Sequence, residues 1–112
     1  MSTTTLSVDC GGGGIKASVL DAEGNIISRA VRTPTPYPLP PTKLVETIAS
    51  LASQLPEADR VTVGMPGMIR HGVVIATPHY ITRDGPRSKV LPELVEAWAR
   101  FNMGACVSKA LG

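Results

Sequence analysis

Apolar and polar residues alternate with a period of two along the first part of the chain. Leu6 and Val8 flank Ser7 ahead of Asp9, and Ile15, Ala17 and Val19 are separated by Lys16 and Ser18, the pattern of strands that bury one face. The turn-forming cluster Asp21-Ala22-Glu23-Gly24-Asn25 follows, and Ile26 to Val31 reads as a third strand. The spacers are too short to hold a helix, so the three strands pair as antiparallel neighbours. Pro34, Pro36, Pro38, Pro40 and Pro41 then exclude both helix and central strand. They predict an extended connector that Tyr37 and Leu39 anchor on the body.

Beyond the connector the period changes. Leu44, Val45, Ile48, Leu51, Ala52 and Leu55 fall on one side of an amphipathic helix, which Pro56 stops. Arg60 to Val63 reads as a short buried strand ending at Gly64, a parallel strand that extends the three antiparallel ones, with a right-handed crossover placing the helix on one face of the sheet. Met68-Ile69 and Val73-Val74-Ile75 flank Arg70-His71-Gly72 and predict a hairpin. A helix is expected from Pro92 to Phe101, with Leu94, Val95 and Trp98 on one side, and a last one from Ala105 to Leu111, closed by Gly112. The fold class this order predicts is α/β of the ribonuclease-H-like type, with residues 1–112 as one domain.

At 112 residues the chain is long enough for one core, and 43% hydrophobic residues supply it. No apolar run reaches the ~18 residues that a membrane span needs, so no membrane partner is expected. Met1 to Thr5 lacks the basic and apolar regions of a secretory signal. The two cysteines, Cys10 and Cys106, are therefore expected to be reduced, in a cytoplasmic protein. A net charge of +2 is too small to argue for nucleic acid.

The candidate chemistry concentrates in Asp9-Cys10-Gly11-Gly12-Gly13-Gly14-Ile15-Lys16. An acidic residue ends one strand and a glycine turn leads into the next. Glycines permit positive φ and close backbone approach, and consecutive N–H groups in such a turn form an anion nest suited to phosphate. A carboxylate there makes sense as a partner for Mg²⁺ or its waters, and Lys16 adds positive charge. A plain glycine-rich hairpin turn is the alternative. The Walker pattern fails because Lys16 lies between Ile15 and Ala17. The dinucleotide fingerprint fails because a strand, not a helix, follows the glycines.

A second candidate, Gly64-Met65-Pro66-Gly67, directly follows a strand, where small molecules gather in open sheets, although a tight turn reads equally well. His71 and His79 are candidates for an acid–base or metal pair, set against ordinary solvated turn residues. Arg70, Arg83, Arg87 and Lys89 make the second half mildly basic, most simply as a solvated surface. Cys10 adjoins the turn without any sign of activation. Trp98 and Phe101 read as core or interface rather than as a sugar-stacking platform.

The run from Asp9 to Lys16 resembles the phosphate motif of the ROK family of bacterial sugar kinases, Asp-x-Gly-Gly-Thr-x-x-Lys. It is most similar to the polyphosphate- and ATP-dependent glucokinases, in which Gly-Ile-Lys follows the motif. The proline-rich connector, the helix from Thr42 and the segment Val61 to Val74, with Gly64, Pro66 and Gly67 as a substrate loop and a His-Gly-Val-Val hairpin, fall in that branch's order. The likeness extends to about Thr77. Beyond it, Pro78 to Phe101 looks partly like an insertion. Gly13 stands where the family usually has Thr or Ser.

The resemblance implies the N-terminal, phosphate-binding lobe of a longer two-lobe, actin- or hexokinase-type kinase. It implies Asp9, Cys10, Gly11, Gly12, Gly13, Gly14 and Lys16 at the phosphate or nucleotide, Asp9 at Mg²⁺, ATP or polyphosphate as donor, and a hexose, glucose first, as acceptor. The family's catalytic aspartate lies in an Asn-Asp motif expected beyond Gly112, so no residue of this chain is assigned as catalytic. The 112 residues alone are expected to be inactive. Their partners would be the C-terminal lobe and, through an uncovered sheet edge, a second copy. A non-catalytic actin-like nucleotide-binding module and a sugar-responsive ROK regulator are the alternatives. Regulators carry a DNA-binding segment ahead of the motif, and eight residues precede Asp9.

Overall fold

The structure is a computed structural model that describes residues 3–112. Strands β1 (Thr5–Cys10) and β2 (Gly14–Leu20) form the first hairpin, followed by β3 (Val31–Pro34), helix α1 (Pro41–Ala52) and strand β4 (Arg60–Gly64). A second hairpin, β5 (Met68–Arg70) and β6 (Val73–Ala76), leads to helices α2 (Pro92–Trp98) and α3 (Met103–Leu111). The main sheet has the order β3-β2-β1-β4, antiparallel except where β4 runs parallel to β1.

Period-two patterning places Leu6, Val8, Cys10, Ile15, Ala17 and Val19 on one face of the sheet, where all are buried. Leu44, Ile48 and Leu51 of α1 complete that core, together with Leu94 and Trp98 of α2 and Met103 and Val107 of α3. Pro41 at the first turn of α1 suits a position whose N–H has no helical partner. The connector is anchored as expected: Leu39 is buried and the Trp98 indole Nε1 donates to its carbonyl at 2.8 Å.

Several expectations are corrected. The third strand is not Ile26–Val31. Ile26 makes one isolated bridge to Leu20, and the continuous ladder with β2 begins at Val31. The Ser28 hydroxyl accepts the Val19 N–H at 2.9 Å, taking a donor that a backbone partner would otherwise use, and Ile26 and Ile27 stay exposed. The strand at Arg60 is not buried. It forms the sheet edge, and Val61 is 38% exposed. The second helix stops at Trp98, and α3 starts at Met103 rather than Ala105 because the Asn102 side chain accepts the Ala105 N–H at 2.9 Å. Among the described residues no helix is long and apolar enough to cross a membrane.

Candidate functional site

The first hairpin turns through Gly11–Gly13 at the carboxyl end of β1. Gly11 N–H donates to the Gly14 carbonyl at 2.8 Å and closes the turn. The other carbonyls are held from behind. Gly11 O accepts from the Thr35 hydroxyl and the Tyr80 hydroxyl, both at 2.9 Å, and Gly12 O accepts from the Tyr37 hydroxyl at 2.7 Å. Gly13 O accepts the Thr35 N–H at 3.3 Å. Among the described residues, the N–H groups of Gly12 and Gly13 donate to no protein acceptor. Two adjacent donors on a turn whose carbonyls are all engaged are what an anion needs.

Gly11 and Gly12 are required for a different reason from the one their sequence suggests. None of Gly11–Gly14 has φ in the left-handed region. At Gly12 a Cβ would lie 2.9 Å from His79 Nδ1 and 3.0 Å from Pro86 Cγ, and at Gly11 it would lie 3.1 Å from the Gly14 carbonyl. At Gly13 nothing lies within 4 Å, so the hydroxyl residue usual at this position of the resembling motif has room.

Asp9 and Lys16 are directly opposite across β1 and β2, and both are exposed. They form no ion pair; among the described residues Arg83 and Asp84 make the one such contact. On the other flank of β1, Gly64 is in register with Asp9, and a Cβ there would stand 3.9 Å from Asp9 Oδ1. The two loops are therefore neighbours at one end of the sheet. Gly67, at φ +148, lies so close to β6 that a Cβ would collide with the Ala76 carbonyl, and Pro66 O accepts the Thr77 hydroxyl at 2.8 Å. The loop is fixed by close backbone packing.

Cys10 is buried beneath the turn. Burial, reinforced by the Asp9 charge, pushes its thiol up to about 12, so it stays protonated. Burial raises the Tyr37 phenol, and burial with nearby Cys10 raises that of Tyr80, which keeps both as donors to the turn. The histidines do not pair. His71 sits at the tip of the second hairpin, beside Gly72, whereas His79 lies beyond β6 against Gly12. His79 Nδ1 is buried without a hydrogen-bond partner. No group of three His, Cys, Asp or Glu capable of holding a metal occurs among the described residues.

Sequence reasoning had Tyr37 anchoring the connector on the body, but it missed that Tyr37, with Thr35 and Tyr80, holds the turn. Thr35, Tyr37 and Tyr80 give no periodic signal, and the stretch after Thr77, read partly as an insertion, folds over the glycines through Tyr80, His79 and Pro86. All four aromatic side chains of the protein make one stack behind the turn. Tyr37–Tyr80, Tyr80–Trp98 and Trp98–Phe101 have ring centroids 6.3, 5.7 and 5.8 Å apart.

A sheet of order β3-β2-β1-β4, antiparallel until its parallel edge and turned at the first hairpin by glycines, is the ribonuclease-H-like fold of the actin and hexokinase type. It superposes on the crystal structure of a ROK family glucokinase from Streptomyces griseus in complex with glucose and AMPPNP with a TM-score of 0.69, at 24% identity, covering 100% of this chain and 31% of that one. The chain belongs to the ROK family, which it matches over residues 5–103. The N-acetylmannosamine kinase of Escherichia fergusonii is 38% identical over 78 residues, 68% of this chain and 26% of that protein. The polyphosphate glucokinase of Mycobacterium tuberculosis is 34% identical over 68 residues, 60% of this chain and 26% of that protein. The chain thus spans about a quarter of the length of the curated relatives it matches.

Proposed function

We propose that residues 1–112 are the N-terminal, donor-binding lobe of a two-lobe sugar kinase that moves a phosphoryl group from ATP or polyphosphate to a hexose hydroxyl, glucose first. The observation that carries this reading is the Gly11–Gly13 turn, whose carbonyls are tied to Thr35, Tyr37 and Tyr80 while Gly12 and Gly13 keep their N–H groups for a ligand. The kinases and the glucose- and AMPPNP-bound glucokinase it resembles support the substrate class.

Phosphoryl transfer is catalysed mainly by positioning and charge stabilisation. The Gly12 and Gly13 N–H groups would hold donor phosphate oxygens, and Lys16 would draw the anion toward the turn. Asp9, a single exposed carboxylate, fits Mg²⁺, which is usually bound through one or two carboxylates with waters and substrate phosphates rather than in a protein cage. When bound, that ion would neutralise charge on the donor. No residue of this segment is assigned as the base for the sugar hydroxyl.

A chimera tests this: residues 1–112 replacing the matching segment of the Streptomyces griseus glucokinase, in a coupled assay with glucose, Mg²⁺ and ATP or polyphosphate. The chimera should turn over, the isolated 112 residues should not, and Asp9→Asn in the chimera should cost roughly 10–100-fold. Unchanged turnover in Asp9→Asn would remove Asp9 from the site. A folded chimera that binds AMPPNP but transfers nothing would favour a nucleotide-binding module.

A further inference from the structure

The register of the main sheet sets Gly64, Asp9, Lys16 and Arg32 in one row across β4, β1, β2 and β3. The three charged residues are exposed on the face opposite the core, and Asp9 begins the row beside the glycine turn. With strands ~4.8 Å apart, Arg32 stands roughly 10 Å from Asp9 along the row. Lys16 and Arg32 are directly opposite one another, a like-charge pairing that weakens a sheet. Neither has an acidic partner within ion-pairing distance among the described residues. Arg32 also lines a groove of about 490 Å³ with Lys43 of α1, whose wall includes Thr33, Pro36 and the carboxylate of Glu46.

An arrangement that costs stability yet keeps two cations unpaired beside an anion-binding turn suits a ligand with many negative charges in a line. A nucleotide brings three phosphates and then a neutral ribose and base. The four aromatic side chains of this segment pack on one another behind the turn. We propose that Arg32, in line with Asp9 and Lys16 and continued by Lys43, extends the donor site into a track for linear inorganic polyphosphate, holding the phosphates that follow the one being transferred. This rests on the reading of the glycine turn as the donor site.

The test uses the 112-residue chain and two probes, long-chain polyphosphate and AMPPNP with Mg²⁺, titrated over a range of salt concentrations. Arg32→Gln with Lys43→Gln should weaken polyphosphate on the order of tenfold, and lower the slope of log affinity against log salt by about 2. AMPPNP binding should stay unchanged, and Arg32→Lys should restore most of the loss due to Arg32→Gln alone. Both positions are exposed and Arg32→Gln relieves its like-charge pairing with Lys16, so the variants should melt at or slightly above the parent. Unchanged polyphosphate affinity in the double variant overturns the track, as does an equal loss for AMPPNP. Binding of AMPPNP but not polyphosphate by the parent overturns the track alone, whereas binding of neither overturns the donor site itself.

Discussion

Gly12 and Gly13 are chemically identical neighbours with opposite surroundings, and substitution should separate them. Gly12→Ala drives a methyl into His79 and Pro86 and should cost about 1–3 kcal/mol, because packed neighbours must shift. Gly13→Ala meets nothing within 4 Å and should be neutral or stabilise by up to about 1 kcal/mol through the unfolded chain. Urea unfolding of both variants checks the pair, and equal losses would refute the geometry. Beneath the turn, Cys10 binds its proton more tightly folded than unfolded. Its contribution is complete below the ordinary thiol value of 9.0 and is lost as pH rises toward about 12. Thermal melts between about pH 8 and pH 10 should therefore fall with pH in the parent and flatten in Cys10→Ala. The raised phenols of Tyr37 and Tyr80 add their own loss only at higher pH. At about pH 8 an alkylating reagent should label half-buried Cys106 and leave Cys10 untouched.

Elements were legible where one face is buried and a single period runs unbroken. The alternation of Leu6, Val8, Ile15, Ala17 and Val19 marks the first hairpin, and Leu44, Ile48 and Leu51 mark α1, because burial imposes those spacings. Asp9 and the glycines were legible as a candidate site because their residue types are unusual together. Arg32 was not, since its position beside Lys16 depends on where the β2–β3 ladder starts, and Ser28 moves that start to Val31. Tyr80 was invisible because its value lies in one hydroxyl reaching Gly11 across 69 positions of sequence. The α2 junction is testable on its own. Trp98→Phe leaves the buried Leu39 carbonyl without its indole donor and should cost about 1–3 kcal/mol. Asn102→Ala removes the α3 cap and should cost ~1 kcal/mol. Denaturant midpoints measure both, and a neutral Trp98→Phe would contradict the buried bond.

Across the whole molecule, the sheet is closed on one face and open at β4. That edge borders a groove of about 440 Å³ lined by Val61, Val63, Ile69, Met103, Val107 and Leu111. An exposed strand edge beside apolar side chains is a template for pairing. The 112-residue chain should therefore self-associate as concentration rises, and Val61→Lys should shift it toward monomer in sedimentation velocity. A parent that stays monomeric throughout would show that the edge is inert. The aromatic stack has an optical consequence. The one tryptophan of the protein is buried, 5.7 Å from Tyr80, which in turn stacks 6.3 Å from Tyr37. Light absorbed by either tyrosine should pass to the indole, so the unlabelled chain should fluoresce as a single blue-shifted emitter. Because those two phenols grip Gly11 and Gly12, a phosphate settling on the turn should alter that emission, and the protein carries its own dye for the event.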